Sequence, residues 1–108
     1  MDISKFQQWL KEYGEANGWS HDNIFMSIGL LAEGTGMMAS AIKELETTGN
    51  WPCPNSTTYK ENTQLLTEGV GDMLGNISFI ASQYNIDLGE VLLRHQKRLT
   101  ETSRTLNN

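Results

Sequence analysis

Two stretches limit what this chain can fold into: IGLLAEGTGMMASAIKELE from Ile28 to Glu46, and LLTEGVGDMLGNISFIASQYNIDLGEV from Leu65 to Val91. Along the first, Ile24, Ile28, Leu31, Thr35, Met38, Ile42 and Leu45 recur in steps of three and four, the spacing of a helical bundle seam. Along the second, Leu66, Val70, Met73, Leu74, Ile77, Ile80, Ala81 and Tyr84 do the same. No segment alternates like a strand. The pattern predicts an all-α protein whose central pair of helices is the longest.

The flanking chain supplies two shorter helices. Ile3, Phe6, Trp9, Leu10 and Tyr13 place helix one over about Ser4 to Tyr13, with Gly14 as its stop. Trp19 is expected to pack helix one against helix two, which runs from Asp22 to Thr47 with Ser20 or Asp22 as cap. TTGNWPCPNSTT, from Thr47 to Thr58, is a linker, and its Cys53 reads as an exposed thiol. Helix three starts near Tyr59, with Thr58 and Glu61 in capping-box spacing. After a break at Asn85 and Ile86, Asp87 caps helix four, whose buried side is expected to hold Leu88, Leu92, His95 and Leu99. The polar end ETSRTLNN is expected to fray.

At 108 residues the chain reads as a single domain, 1–108, short enough that self-association into a homodimer or homotetramer would add useful burial. One cysteine allows neither an internal disulfide nor a thiolate zinc site. A net charge of -5 argues against a nucleic-acid binder, which needs dense lysine and arginine. The sequence shows no run of about 18 apolar residues and no signal-peptide pattern. The expectation is a cytoplasmic protein without a membrane partner.

The central helices resemble those of the all-α nucleoside triphosphate pyrophosphohydrolases, the family of MazG and the dimeric dUTPases. Leu31, Glu33, Gly36, Ala39, Ala41, Ile42 and Lys43 match the family's L-x-E-E-x-G-E-L-x-x-A-I pattern. Gly71, Asp72, Leu74, Asn85, Ile86, Asp87, Leu88, Glu90 and Val91 match its E-L-G-D helix and the G-I-D-L-E-E-V that opens the last helix. The resemblance implies a four-helix MazG-like fold whose bundle is completed by self-association. It also implies magnesium held by facing pairs of carboxylates, which would neutralise a bound triphosphate.

Most of those acids are missing. The second and third glutamates of the first motif are Gly34 and Met37, and the glutamate three before Asp72 is Gly69. Asp72 is the one carried-over ligand that remains, and magnesium keeps its hydration shell against a single carboxylate. Glu33 and Glu68 each sit one residue early, turned by about 100°, so a site of Asp72, Glu33 and Glu68 would require rolled helices. The alternative is that both are solvated. Gly34, Gly36, Gly69, Gly71 and Gly75 would let the helices approach closely, or leave room for a ligand.

On helix four, His95 and Arg98 fall where relatives contact the nucleotide, and Lys97 joins Arg94 and Arg98 in a basic cluster. His95 otherwise reads as a buried, hydrogen-bonded side chain, and the cluster as a favourable helix end. Three functions follow. The first is a catalytically degenerate protein that binds a nucleotide or a protein partner without hydrolysis. The second is a magnesium-dependent nucleoside triphosphate pyrophosphohydrolase with rearranged acids. The third is a structural module whose partner helix docks on Met37, Met38 and Met73.

Overall fold

Four helices and no strand occur among the described residues, which in this computed structural model are 1–47 and 51–107. They are α1 (Ile3–Ala16), α2 (Ile24–Thr47), α3 (Thr57–Gln83) and α4 (Leu88–Asn107), with a short 3-10 turn, His21–Asn23, before α2. The protein is all-α.

Local chemistry sets the helix ends. Asp2 caps α1 by accepting the Lys5 amide at 2.8 Å. Gly14 does not stop this helix. The stop is Gly18, at φ +79°, where the Gly18 amide donates to the Glu15 carbonyl at 3.3 Å and the Trp19 amide to the Gly14 carbonyl at 2.9 Å. The turn folds Trp19 back over Gly14, where a Cβ would lie 2.8 Å from the indole. Gly14 is therefore needed for packing rather than for termination.

The tighter His21–Asn23 turn delays α2 to Ile24, two residues after the expected start. In α3 the capping hydroxyl is Ser56, accepting the Tyr59 amide at 3.0 Å, so the helix begins at Thr57 and the box of Thr58 and Glu61 is not its start. Asn85, at φ 56°, closes α3 with the same pair of bonds as Gly18: Asn85 to Ser82 at 3.2 Å and Ile86 to Ala81 at 2.9 Å. Asp87 Oδ1 then accepts the amides of Gly89 at 2.8 Å and Glu90 at 3.3 Å, as the sequence predicts. Helix α4 continues to Asn107, through the polar end that was expected to fray. Of the linker, Thr48, Gly49 and Asn50 lie outside the described residues; Cys53 is exposed, and Trp51 stacks on Tyr59 with centroids 5.5 Å apart.

The chain divides into two compact units, Met1–His21 with Ser78–Asn108, and Asp22–Ile77. In the first, Phe79, Ala81 and Leu88 are buried. Trp19 meets Tyr13 and Phe79 edge-on, at 5.5 and 5.8 Å. It thus ties the end of α1 to the last turns of α3. Gln7 fastens the turn into α4. Its amide donates to the Ile86 carbonyl at 2.7 Å and Ser82 Oγ at 3.3 Å, and its oxygen accepts the Leu88 amide at 2.9 Å.

Beyond Leu88, the expected buried side of α4 is open: Leu92, His95 and Leu99 are all exposed. Leu88 is buried and anchors the first turn of α4, and the rest of the periodic stripe is exposed.

The second unit is the hairpin of α2 and the first part of α3. Gly34 faces Met73, and Gly69 faces Met38. Moving four residues up α2 moves four down α3, so the pair is antiparallel. The buried stripe of α2 is Ile24, Ser27, Gly34, Ala41 and Leu45. Ile28, Thr35 and Ile42, expected in the seam, are exposed, and so are Val70, Leu74 and Ile77 on α3. The small residues Ser27, Gly34, Ala41 and Gly69 admit closer approach than isoleucine would, and this rotates the seam. His21–Thr47 is long and apolar enough to cross a membrane, where no such run is expected from the sequence, and 22% of its most apolar window is buried.

Candidate functional site

Two of the four positions where the resemblance places metal ligands, Gly34 and Gly69, are taken up by packing. A Cβ on Gly34 would lie 3.2 Å from Met73 Cγ, and one on Gly69 2.8 Å from Met38 Cγ, so methionine side chains fill the space above both buried glycines. Gly29, Gly36, Gly71 and Gly75 meet nothing within 4 Å. Of the five glycines expected to let α2 and α3 approach, Gly34 and Gly69 therefore do so, and among the described residues Gly36, Gly71 and Gly75 do not.

The remaining acids do not converge. Among the described residues no group of three histidine, cysteine or carboxylate side chains could hold a metal ion. Glu33, Glu68 and Asp72 are all exposed. Glu68 accepts from its helical neighbour Gln64 at 3.1 Å, and the Asp72 carbonyl accepts the Asn76 amide at 2.9 Å.

A different concavity lies along one side of the hairpin. An open cleft of about 810 Å³ is walled on α2 by Glu33, Met37 and Glu44 and on α3 by Glu61, Asn62 and Leu65. Met37 and Leu65, 51% and 46% exposed, give it an apolar floor. None of the residues lining it is basic. Glu33 and Met37 were singled out by the motif; Glu44, Glu61 and Leu65 were not. The available signal was spacing: Glu33, Met37 and Glu44 at steps of four and seven, and Glu61 and Leu65 at four, share a helical side.

The opposite side of the hairpin differs in character. A helix turns about 100° per residue, which puts Ile28, Leu31, Thr35 and Ile42 on one flank of the α2 seam. Val70, Leu74 and Ile77 occupy the matching flank of α3. This side carries aliphatic and threonine side chains with Glu46 at its end, and the cleft side carries Glu33, Glu44 and Glu61.

His95, Lys97 and Arg98 lie on exposed α4, apart from the hairpin in sequence and in compact unit. Arg98 Nη2 and His95 Nδ1 are hydrogen-bonded at 3.1 Å. His95 is therefore paired but exposed, not buried as expected.

No protein-family profile matches the sequence. No solved structure matches it either. The uncharacterized protein YvdC of Bacillus subtilis (strain 168) is 33% identical over 101 residues, an alignment spanning 94% of this chain and 95% of YvdC. Identity at that level over nearly the whole of both chains places this protein in the same family as YvdC.

Proposed function

We propose that this is a catalytically silent MazG-like protein of the cytoplasm that self-associates and acts by binding a protein partner. The observation that carries this reading is what stands at the vanished acids: Gly34 and Gly69 are covered by methionines, and Met37 is a cleft wall. A magnesium triphosphate needs several anionic oxygens around the metal and cations around the phosphates. The cleft offers carboxylates that do not converge on a metal and no lysine or arginine. That balance would repel a nucleotide's phosphates and suits a protein surface carrying basic and apolar groups.

Self-association is supported by the aliphatic side of the hairpin. Ile28, Ile42, Val70, Leu74 and Ile77 are each at least 40% exposed. Covering the open part of such a side chain is worth roughly 1 kcal/mol. A second hairpin laid against this side would complete a four-helix bundle.

Isothermal titration with magnesium and a panel of nucleoside triphosphates, followed by assay for pyrophosphate, tests the reading. The expected result is no magnesium-dependent binding and no pyrophosphate. Magnesium-dependent binding with pyrophosphate release would instead establish a hydrolase using Asp72, Glu33 and Glu68 after rearrangement.

A further inference from the structure

The flank of the hairpin that carries Ile28 and Val70 has an outer row of residues on each helix. On α2, Ile28, Thr35 and Ile42 are exposed at steps of seven, and Ala32, Ala39 and Glu46 follow them by four residues each. Four residues turn a helix by about 40° beyond a full circle, which sets this second row farther from the seam with α3. On α3, Val70 and Ile77 are exposed at a step of seven, Thr67 and Leu74 precede them by three, and Lys60 stands seven residues before Thr67. This row too is turned away from the seam. All these residues are exposed and belong to the one compact unit Asp22–Ile77.

Two contacts inside the chain set the heights of the rows. Gly34 faces Met73 and Gly69 faces Met38. Counting out along the antiparallel pair brings Ala32 level with Leu74, Ala39 with Thr67 and Glu46 with Lys60, each to within about one residue or roughly 1.5 Å. At the first two heights a small side chain on α2 matches a larger one on α3, and at the third a carboxylate matches an ammonium. Within one copy the rows sit at opposite edges of the flank, so they close only on another copy.

We propose that two copies pack hairpin to hairpin about a twofold axis parallel to the helices, with α2 of each lying antiparallel beside α3 of the other. Ala32 then meets the partner's Leu74, Ala39 the partner's Thr67 and Glu46 the partner's Lys60, each contact occurring twice. This rests on the self-association in the proposed function and gives it an arrangement. No register is left free, because rotation about such an axis keeps every residue at its own height. The other way to close a bundle, α2 head to tail on the partner's α2, would set Glu46 against the level of Phe25 and Ala32 against that of Ala39. It leaves the carboxylate beside an aromatic ring and alanine beside alanine. Charges at the edges of a helical seam set which helix pairs with which and in what direction.

The test is charge reversal on the full-length protein. Glu46→Lys and Lys60→Glu, each alone, put like charges at both contacts, and sedimentation should read a dimer roughly tenfold weaker than wild type. Mixed one to one, the two variants place opposite charges at both contacts of the mixed dimer. With one variant isotopically labelled, native mass spectrometry should show that mixed dimer above its random share. Leu74→Arg should lower the assembly mass as well. The three substituted residues are exposed, and circular dichroism checks that each variant stays helical. Random mixing, or single variants that dimerise as wild type does, would overturn the arrangement, and hairpin self-association would still stand if Leu74→Arg dissociates the protein. A monomeric wild type, or a Leu74→Arg protein of unchanged mass, would overturn both. Pyrophosphate release by a protein that passes these tests would overturn the proposed catalytic silence and leave the arrangement standing.

Discussion

Replacing Gly69 by alanine, with and without a shortened Met38, asks whether methionine packing has taken over the expected metal-binding positions. Alanine in a helix interior is favoured over glycine by about 1 kcal/mol. At Gly69 the new methyl would lie 2.8 Å from Met38 Cγ, a position partway along that side chain and not at its free end. Forcing methionine aside in a packed seam costs about 1–3 kcal/mol, so Gly69→Ala should be neutral or destabilising by up to about 2 kcal/mol. In a Met38→Ala background the obstruction is gone and the same substitution should stabilise by about 1 kcal/mol. The cycle therefore predicts a coupling of about 1–3 kcal/mol between the two positions. Gly71→Ala is the internal control, with nothing within 4 Å and the full propensity gain expected. Urea denaturation at fixed protein concentration reads all five proteins. Equal stabilisation by Gly69→Ala and Gly71→Ala, with no coupling to Met38, would refute direct α2–α3 packing at this position.

Other expected outcomes follow from single contacts. Gln7→Ala removes three hydrogen bonds and strips the Leu88 amide of its partner, so a loss of about 1–3 kcal/mol is expected in thermal unfolding, with faster hydrogen exchange at that amide. Asn85 sits at φ 56°, so Asn85→Gly should leave stability within about 0.5 kcal/mol, whereas Asn85→Ala should cost about 1 kcal/mol. Ser78 is fully buried, and among the described residues its hydroxyl has no hydrogen-bond partner. Ser78→Ala should therefore raise the urea midpoint, by about 0.5–2 kcal/mol in stability.

The helices were legible because their ends carry local chemistry. Asp87 announces α4 by its own side chain, and Thr47 closes α2 where the composition turns to small polar residues. Gly14 misled because a glycine inside a helix can answer to an aromatic ring four or five residues on, and nothing local reveals that Trp19 folds back upon it. The seam of α2 was misplaced for a related reason. Periodicity finds every apolar flank, but cannot say which is covered within the chain and which is exposed. Ile28 and Ile42 have the same spacing as Ile24 and Leu45, yet only the latter two are buried. The cleft was half visible: Glu33 and Met37 stood out against a motif, but their partners Glu61 and Leu65 belong to no motif and become significant only once α3 lies antiparallel to α2.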